Sequence, residues 1–311
     1  MAPNASQQSH QSGKPLCIWA ISDDKPGHVN QTLGLIQSLL KYRQGVVVNK
    51  PVLTRSQALA MLLCKRCHAL EEGADKPDLI IGTGHGTHLS LLAYRRCYGG
   101  RAVVLMSPSL PARWFDLCLI PRHDNPAQGP HIIETLGPLN RVEASLEQQK
   151  NQGLILLGGP SKHVNWESDK VLVQIQQLLA NKALLWTIAS SRRTPETFMQ
   201  KLKEQFPDLE LVLPDHVPSN WLVEKMAQVG QIWVTADSMS MLFEAMSSGA
   251  LTGVIQLPSK QASRVTQEVN RLIREGRLLT NPLDLDQSER HPEPLAESDR
   301  CAQIVIEKCG L

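Results

Sequence analysis

The sequence predicts an α/β protein built from two doubly wound, Rossmann-like domains. Three observations predict it. Short β-rich runs alternate with amphipathic segments almost throughout, the strand runs are apolar at successive positions, and the rhythm stops and restarts near residue 150. Strands apolar on both faces belong in parallel sheets covered by helices on each side. At 311 residues the chain also exceeds the length over which one hydrophobic core stays efficient.

The elements follow in chain order. Residues 1–14 are polar, lack the apolar stretch of a secretory signal, and are expected to be a disordered tail. A first domain is expected over residues 15–145. Its strands are "PLCIWAI", "GVVVNK", "PDLIIGTG", "RAVVLMS" and "FDLCLIP", with helices at about 29–41, 56–71 and 86–97. The charged, Gln-rich stretch "LGPLNRVEASLEQQKNQG", residues 136–153, is expected to be the hinge. A second domain is then expected over 146–311, with strands "GLILLGG", "ALLWTIAS", "LELVLP", "QIWVTA" and "LTGVIQLP". Its helices are expected near 166–180, 195–205, 219–228, 238–248 and 262–275.

Composition narrows the function. The formal net charge is only +2, far from the basic excess of a nucleic-acid binder, so no nucleic-acid partner is expected. No apolar run approaches the roughly 18 residues of a membrane span. Seven cysteines, scattered through mostly apolar settings, are expected to be reduced thiols in a cytoplasmic protein. Cys64-Lys-Arg-Cys67-His68 matches a haem-attachment pattern, but it sits in a helical stretch and reads better as a helix face.

In doubly wound sheets, ligands sit beyond the carboxyl ends of the strands. The first domain offers there "SDDKPGH" (22–28), "GTGHGTH" (82–88) and "SPSLPARW" (107–114). The second offers "GGPSKH" (158–163), "SSRRTPE" (190–196) and "TADSMS" (235–240). Most are rich in Gly, Ser, Thr, His or basic residues, with a helix starting directly after, an arrangement suited to phosphate. None has the spacing of a dinucleotide fingerprint or a P-loop. His85-x-x-His88 has no nearby acids or thiols to complete a metal site. Thr194, Pro195 and Glu196 read as a helix N-cap, first residue and first turn. Capping leaves Arg192 and Arg193 unexplained, and at least one is expected to bind an anion. Ser240 and Glu244 are four residues apart and share a helix face.

The motifs "DDKPGHVNQTLGL", "GTGHGTHLSLLA", "LLGGPSKH", "SSRRTPE" and "VTADSMSMLFEAMSSG" resemble those of the elongated-mitochondria (mitochondrial fission) protein family, in order, from about residue 16 to 258. More distantly, the layout is similar to GT-B glycosyltransferases, notably the N-acetylglucosamine transferase of lipid-linked peptidoglycan synthesis. The resemblance implies a GT-B-like fold, two domains facing across a cleft, and a nucleoside diphosphate sugar, UDP-linked, as donor. By resemblance, Gly27-His28 corresponds to a catalytic elbow, although "DDKPGH" replaces the glycine-rich version. Ser238, Ser240 and Glu244 correspond to the donor site, with Glu244 on the ribose.

The expected site follows. His28 would be the general base, since imidazole titrates near neutral pH, with Asp23 or Asp24 to orient it. Gly27, Asn30, Gln31, Gly84, His85 and Gly86 would lie on the acceptor side. Gly158, Gly159, Ser161, Lys162, Arg192, Arg193, Ser238, Ser240 and Glu244 would hold the nucleotide diphosphate without a metal or other cofactor. The expected activity is a metal-independent glycosyl transfer to an acceptor the sequence does not identify, with cell-envelope glycan and lipid-linked acceptors, and peripheral membrane contact, left open. The alternatives are a non-catalytic adaptor that recruits a protein partner and a sugar-nucleotide epimerase of the same architecture, which would want additional acids in the cleft. Asp284-x-Asp286 is expected to be a surface loop.

Overall fold

A computed structural model describes residues 14–65, 67, 69–70, 73–145, 147–161, 164–258, 263–281 and 293–311. The tail up to residue 13, Arg66, His68, Lys162 and the Asp284-x-Asp286 loop therefore lie outside the described residues.

The first domain runs β1 (Leu16–Ile21), α1 (Pro26–Tyr42), β2 (Gly45–Lys50), α2 (Arg55–Cys64), β3 (Leu79–Thr83), α3 (His88–Tyr98), β4 (Arg101–Leu105), β5 (Leu117–Pro121) and β6 (Ile132–Thr135). Its strands form one parallel sheet in the order β2-β1-β3-β4-β5-β6. The inner strands β1, β3 and β5 are buried along their whole length because both faces are covered, whereas the edge strands β2 and β6 are partly exposed. Leu16, Ile18 and Ala20 pack on one face with Leu35 and Leu39 of α1. Cys17, Trp19 and Ile21 pack on the other with Met61 of α2 and Leu91 of α3. Burial of each such leucine stabilises the fold by about 1.5–3 kcal/mol.

The second domain runs β7 (Gln149–Leu156), α4 (Ser168–Leu179), β8 (Leu185–Ala189), α5 (Glu196–Gln205), β9 (Glu210–Val212), α6 (Trp221–Gln228), β10 (Val229–Thr235), α7 (Met239–Ser247), β11 (Leu251–Ile255), α8 (Arg264–Arg274) and α9 (Glu297–Cys309). The second sheet is also parallel, in the order β11-β10-β7-β8-β9. Leu154 and Leu156 face Leu242 and Val269, whereas Ile155 and Leu157 face Val171 and Phe198.

Several elements differ from expectation. Strand β6 and helix α9 lie in stretches where neither was expected. Cys301, Val305 and Cys309 of α9 pack into the core formed by β1 and α1, so this helix returns to the first sheet rather than staying with residues 146–311. β7 begins at Gln149, inside the expected hinge of 136–153. Helix α2 ends at Cys64, where Lys65 adopts φ 50°, not at residue 71. Cys67 is joined to Cys97 of α3 in a disulfide with Cα atoms 5.5 Å apart, against the expectation that all seven cysteines are reduced. Packing of α2 against α3 brings the two within the usual bridging range. Among the described residues, no helix is long and apolar enough to cross a membrane.

Candidate functional site

Each sheet has one place where the chain order reverses, and crevices form there. In the first sheet it lies between β1 and β3, in the second between β7 and β10. Most of the candidate residues collect at these two positions.

In the first domain, the loop after β1 carries Asp23 and the first turn of α1 carries His28. Pro26 opens that helix, where its missing N–H costs nothing. His28 Nδ1 lies 2.8 Å from Asp23 Oδ1, and Lys25 Nζ lies 3.0 Å from Asp23 Oδ2. Asp24 is exposed, has φ 60°, and makes no contact with His28, so of the two acids offered as its partner only Asp23 is placed for the role. Burial alone would raise the Asp23 carboxyl. Hydrogen bonds from Lys25 and His28 together outweigh it and hold the group below its ordinary range.

The loop after β3 completes this side. Gly84 has φ 84°, and a Cβ there would strike the His28 ring, so glycine is required on both counts. A Cβ on Gly86 would sit 3.7 Å from the Asp23 side chain, in ordinary contact. His85 is exposed while His88 is buried with Nδ1 3.0 Å from Ser109 Oγ, so the two do not face a common point. Burial drives His88 down to about 4, leaving it a neutral ring. Among the described residues no group of three or more His, Cys, Asp or Glu could hold a metal. Gln31 is buried on α1, its Nε2 3.5 Å from Met106 Sδ.

The second domain's loops are bound to one another. Thr235 ends β10, and its hydroxyl accepts from Gly158 N–H at 2.7 Å and donates to Asp237 Oδ1 at 2.7 Å. Asp237 Oδ2 accepts from Gly159 N–H at 3.1 Å and pairs with Arg193 at 2.6 Å. The Asp237 side chain is fully buried, so this pair is what makes its charge tolerable. Gly158 lies so close to the carboxylate that a Cβ would overlap it. Thr194 does not cap α5. Its hydroxyl binds the carbonyls of Leu157 and Gly158, at 3.0 and 2.6 Å, and Pro195 precedes the helix instead. Arg193 is therefore a structural partner of Asp237. Arg192 is different: its side chain is 72% exposed and its nearest acid, Asp215, is 3.8 Å away. Ser161 Oγ accepts from Val164 N–H at 3.3 Å.

Ser238 occupies the N-cap of α7, yet its hydroxyl makes no capping hydrogen bond. Ser240 is half-buried on the first turn. Glu244 meets the first domain directly: its Oε1 accepts from Asn30 Nδ2 at 2.5 Å, and Asn30 Oδ1 accepts from Arg141 Nε at 2.8 Å. Burial pushes the Glu244 carboxyl up to about 7, against the Asn30 hydrogen bond and the Arg141 charge, which both lower it. A second cross-domain contact joins Arg122, after β5, to Glu268 of α8 and to Glu275 just past its end, at 2.6 and 3.1 Å.

The sequence model of the mitochondrial fission ELM1 family matches residues 26–309. The chain belongs to this family. The uncharacterized protein RP120 of Rickettsia prowazekii (strain Madrid E) is 23% identical over 345 aligned positions, covering 93% of this chain and 97% of the relative. Solved structures agree in fold. A Listeria monocytogenes protein described as a UDP-N-acetylglucosamine 2-epimerase superposes with a TM-score of 0.57 at 10% identity, covering 94% of this chain and 96% of that one. The UDP-GlcNAc 2-epimerase of Methanocaldococcus jannaschii gives 0.55 at 13% identity, covering 94% and 100%. A glycotransferase of kitacinnamycin gives 0.50 at 15% identity, covering 95% and 100%. This ELM1 family member therefore has the GT-B fold.

Asp237, Thr235 and Arg141 are absent from the sequence-derived candidates. The "TAD" preceding the serine-bearing helix was the available signal for the first two. Nothing in the sequence singles out Arg141.

Proposed function

We propose that this ELM1 family member binds a nucleoside diphosphate sugar, UDP-linked, between its domains and transfers the sugar to an acceptor hydroxyl. One observation carries the reading: the contact of Asn30 with Glu244, which joins the helix bearing His28 to the helix that starts at Ser238. In this reading a candidate base and a candidate donor site share one cleft. The fold shared with proteins described as UDP-sugar enzymes supports the donor class.

In this reading the donor diphosphate lies at the N-terminus of α7, where Ser238 and Ser240 have hydroxyls to offer and the helix supplies free N–H groups. Arg192 adds an exposed guanidinium, held only by its 3.8 Å contact with Asp215, to stabilise the leaving diphosphate. Gly158, Gly159, Arg193 and Asp237 shape the floor. Glu244 takes the ribose hydroxyls. Across the cleft His28, oriented by Asp23 through Nδ1, presents Nε2 to the acceptor and removes its proton. A metal is not required for any of these steps.

A titration with UDP tests the binding half. It should stabilise the protein by about 2.7 kcal/mol at a hundredfold excess over its dissociation constant, and Glu244→Ala should remove most of that shift. His28→Asn tests the chemistry. Turnover of the nucleotide sugar, as transfer or slow hydrolysis, should fall by roughly a hundred- to ten-thousandfold while affinity is nearly kept. Absence of turnover in the parent with every donor, alongside intact nucleotide binding, favours the second reading. That reading is a protein-recruiting role, and it is suggested by the fission description of the family.

A further inference from the structure

We propose that Asn30 is a latch: it occupies the ribose-binding carboxylate of Glu244 until an arriving donor displaces it. The proposal rests on the nucleotide-sugar reading above and concerns the regulation of that same site.

The orientation of the Asn30 amide is fixed by its two partners. Its Nδ2 can donate and faces the Glu244 carboxylate; its Oδ1 can only accept and faces the Arg141 guanidinium. The reverse orientation would set oxygen against oxygen and donor against donor. Asn30 is thus held from both sides.

Both anchors are fixed in turn. Arg141 follows Asn140, whose Nδ2 donates to Ser247 Oγ at the end of α7 and whose carbonyl accepts from Ser298 Oγ. Gly34, one turn along α1 from Asn30, lies flush against the Asn140 backbone, where a Cβ would not fit. Helix α1, the connecting segment and α7 therefore form one assembly around the Asn30–Glu244 contact.

A ribose diol binds a carboxylate through both of its oxygens. Glu244 Oε1 is already satisfied at 2.5 Å by Asn30, so the diol and the amide compete for it. Displaced, Asn30 keeps only Arg141. It lies two residues after His28, in the same helical turn, and the His28 ring rests on Gly84. The amide that the donor displaces thus lies within one helical turn of the elbow.

Calorimetry with UDP and with inorganic pyrophosphate, on the parent and on Asn30→Ala, tests this. At pH 8, above the range in which Glu244 holds its proton, removing one competing hydrogen bond should tighten UDP by about three- to tenfold. Pyrophosphate has no ribose and should bind both proteins equally. Should Asn30→Ala fail to fold, Asn30→Ser, which is too short to span the gap, carries the same expectation. UDP affinity unchanged or weakened in the variant overturns the latch and leaves the nucleotide reading standing. Equal tightening of pyrophosphate also overturns it, since that would report a general loosening of the cleft. Failure of the parent to bind UDP overturns the nucleotide reading itself, and the latch with it.

Discussion

The two sides of the cleft are built from the same topological feature and reach opposite results. At the reversal point of the first sheet, polar side chains stand open: Asp24 and His85 are exposed, and Asp23, which holds His28 and the exposed Lys25, is the centre of the one small cluster described there. At the reversal point of the second sheet, three strand ends are knotted through Thr235, Asp237, Arg193 and Thr194. A rigid floor suits a ligand of fixed shape, such as a diphosphate. An open elbow suits an acceptor that arrives from solvent and a base that must reach it.

The largest expected effect tests that contrast through stability. Asp237→Ala leaves Arg193 without its carboxylate and strips partners from Gly159 N–H and the Thr235 hydroxyl. The expected loss is about 3 kcal/mol, at the low end for breaking a buried pair because Arg193 is 43% exposed. Asp23→Ala, on the open side, should cost no more than about 1 kcal/mol. Urea unfolding of both variants measures the difference. Equal losses would show that the two crevices are built alike.

How far this contrast was legible in the sequence depends on whether the cause was local. Strands such as Ile18–Ile21 and Leu154–Leu157 announced themselves because both faces are buried, which leaves an unbroken apolar run. The strand-end loops followed from the alternation of strands and helices, the family from five motifs taken in order, and the GT-B fold from the likeness of the layout; the strand order that sets the reversal points did not show in the sequence. Thr194 was misread because Thr-Pro-Glu is a good capping signature, but the carbonyls of a neighbouring strand end offered its hydroxyl stronger partners. Helix α9 was missed because its buried face consists of small residues, Cys301, Ala302 and Cys309 among them, which give a weak pattern. The Asn30–Glu244 contact spans 214 residues and the Cys67–Cys97 bridge 30, and no local rule reaches that far.

A smaller effect contrasts the acids of the two sides by pH. Glu244 is raised from its ordinary 4.5 to about 7, so between those values the folded protein holds a proton that the unfolded chain has released. Its contribution to stability is therefore complete below about 4.5 and is lost as pH rises through about 7. Asp23 is lowered from 3.8, so its contribution is present above that value and is lost on acidification below it. Glu244→Gln should flatten the stability profile between pH 4.5 and 7, and Asp23→Asn should flatten only the acid limb. Denaturant midpoints across pH decide the matter. A parent-like slope in Glu244→Gln would mean the carboxyl is not buried in solution as it is here.

The smallest effect separates neighbours within the knotted side itself. Arg192 and Arg193 are adjacent and chemically identical, and a sequence cannot rank them. Arg193 is bound to a fully buried carboxylate at 2.6 Å, while Arg192 reaches only an exposed one at 3.8 Å. An exposed pair at that separation contributes little to folding, so Arg192→Ala should change stability by less than about 0.5 kcal/mol. Its effect belongs to binding. A guanidinium free to turn toward the cleft can meet a phosphate, and losing it should weaken UDP several-fold, by about 1 kcal/mol, and reduce the salt dependence of that binding. Titrations of UDP at low and high salt, beside the unfolding curves, read both quantities. A destabilised Arg192→Ala, or one whose UDP affinity and salt dependence match the parent, would place Arg192 outside the anion site and leave the helix end at Ser238 to hold the diphosphate unaided.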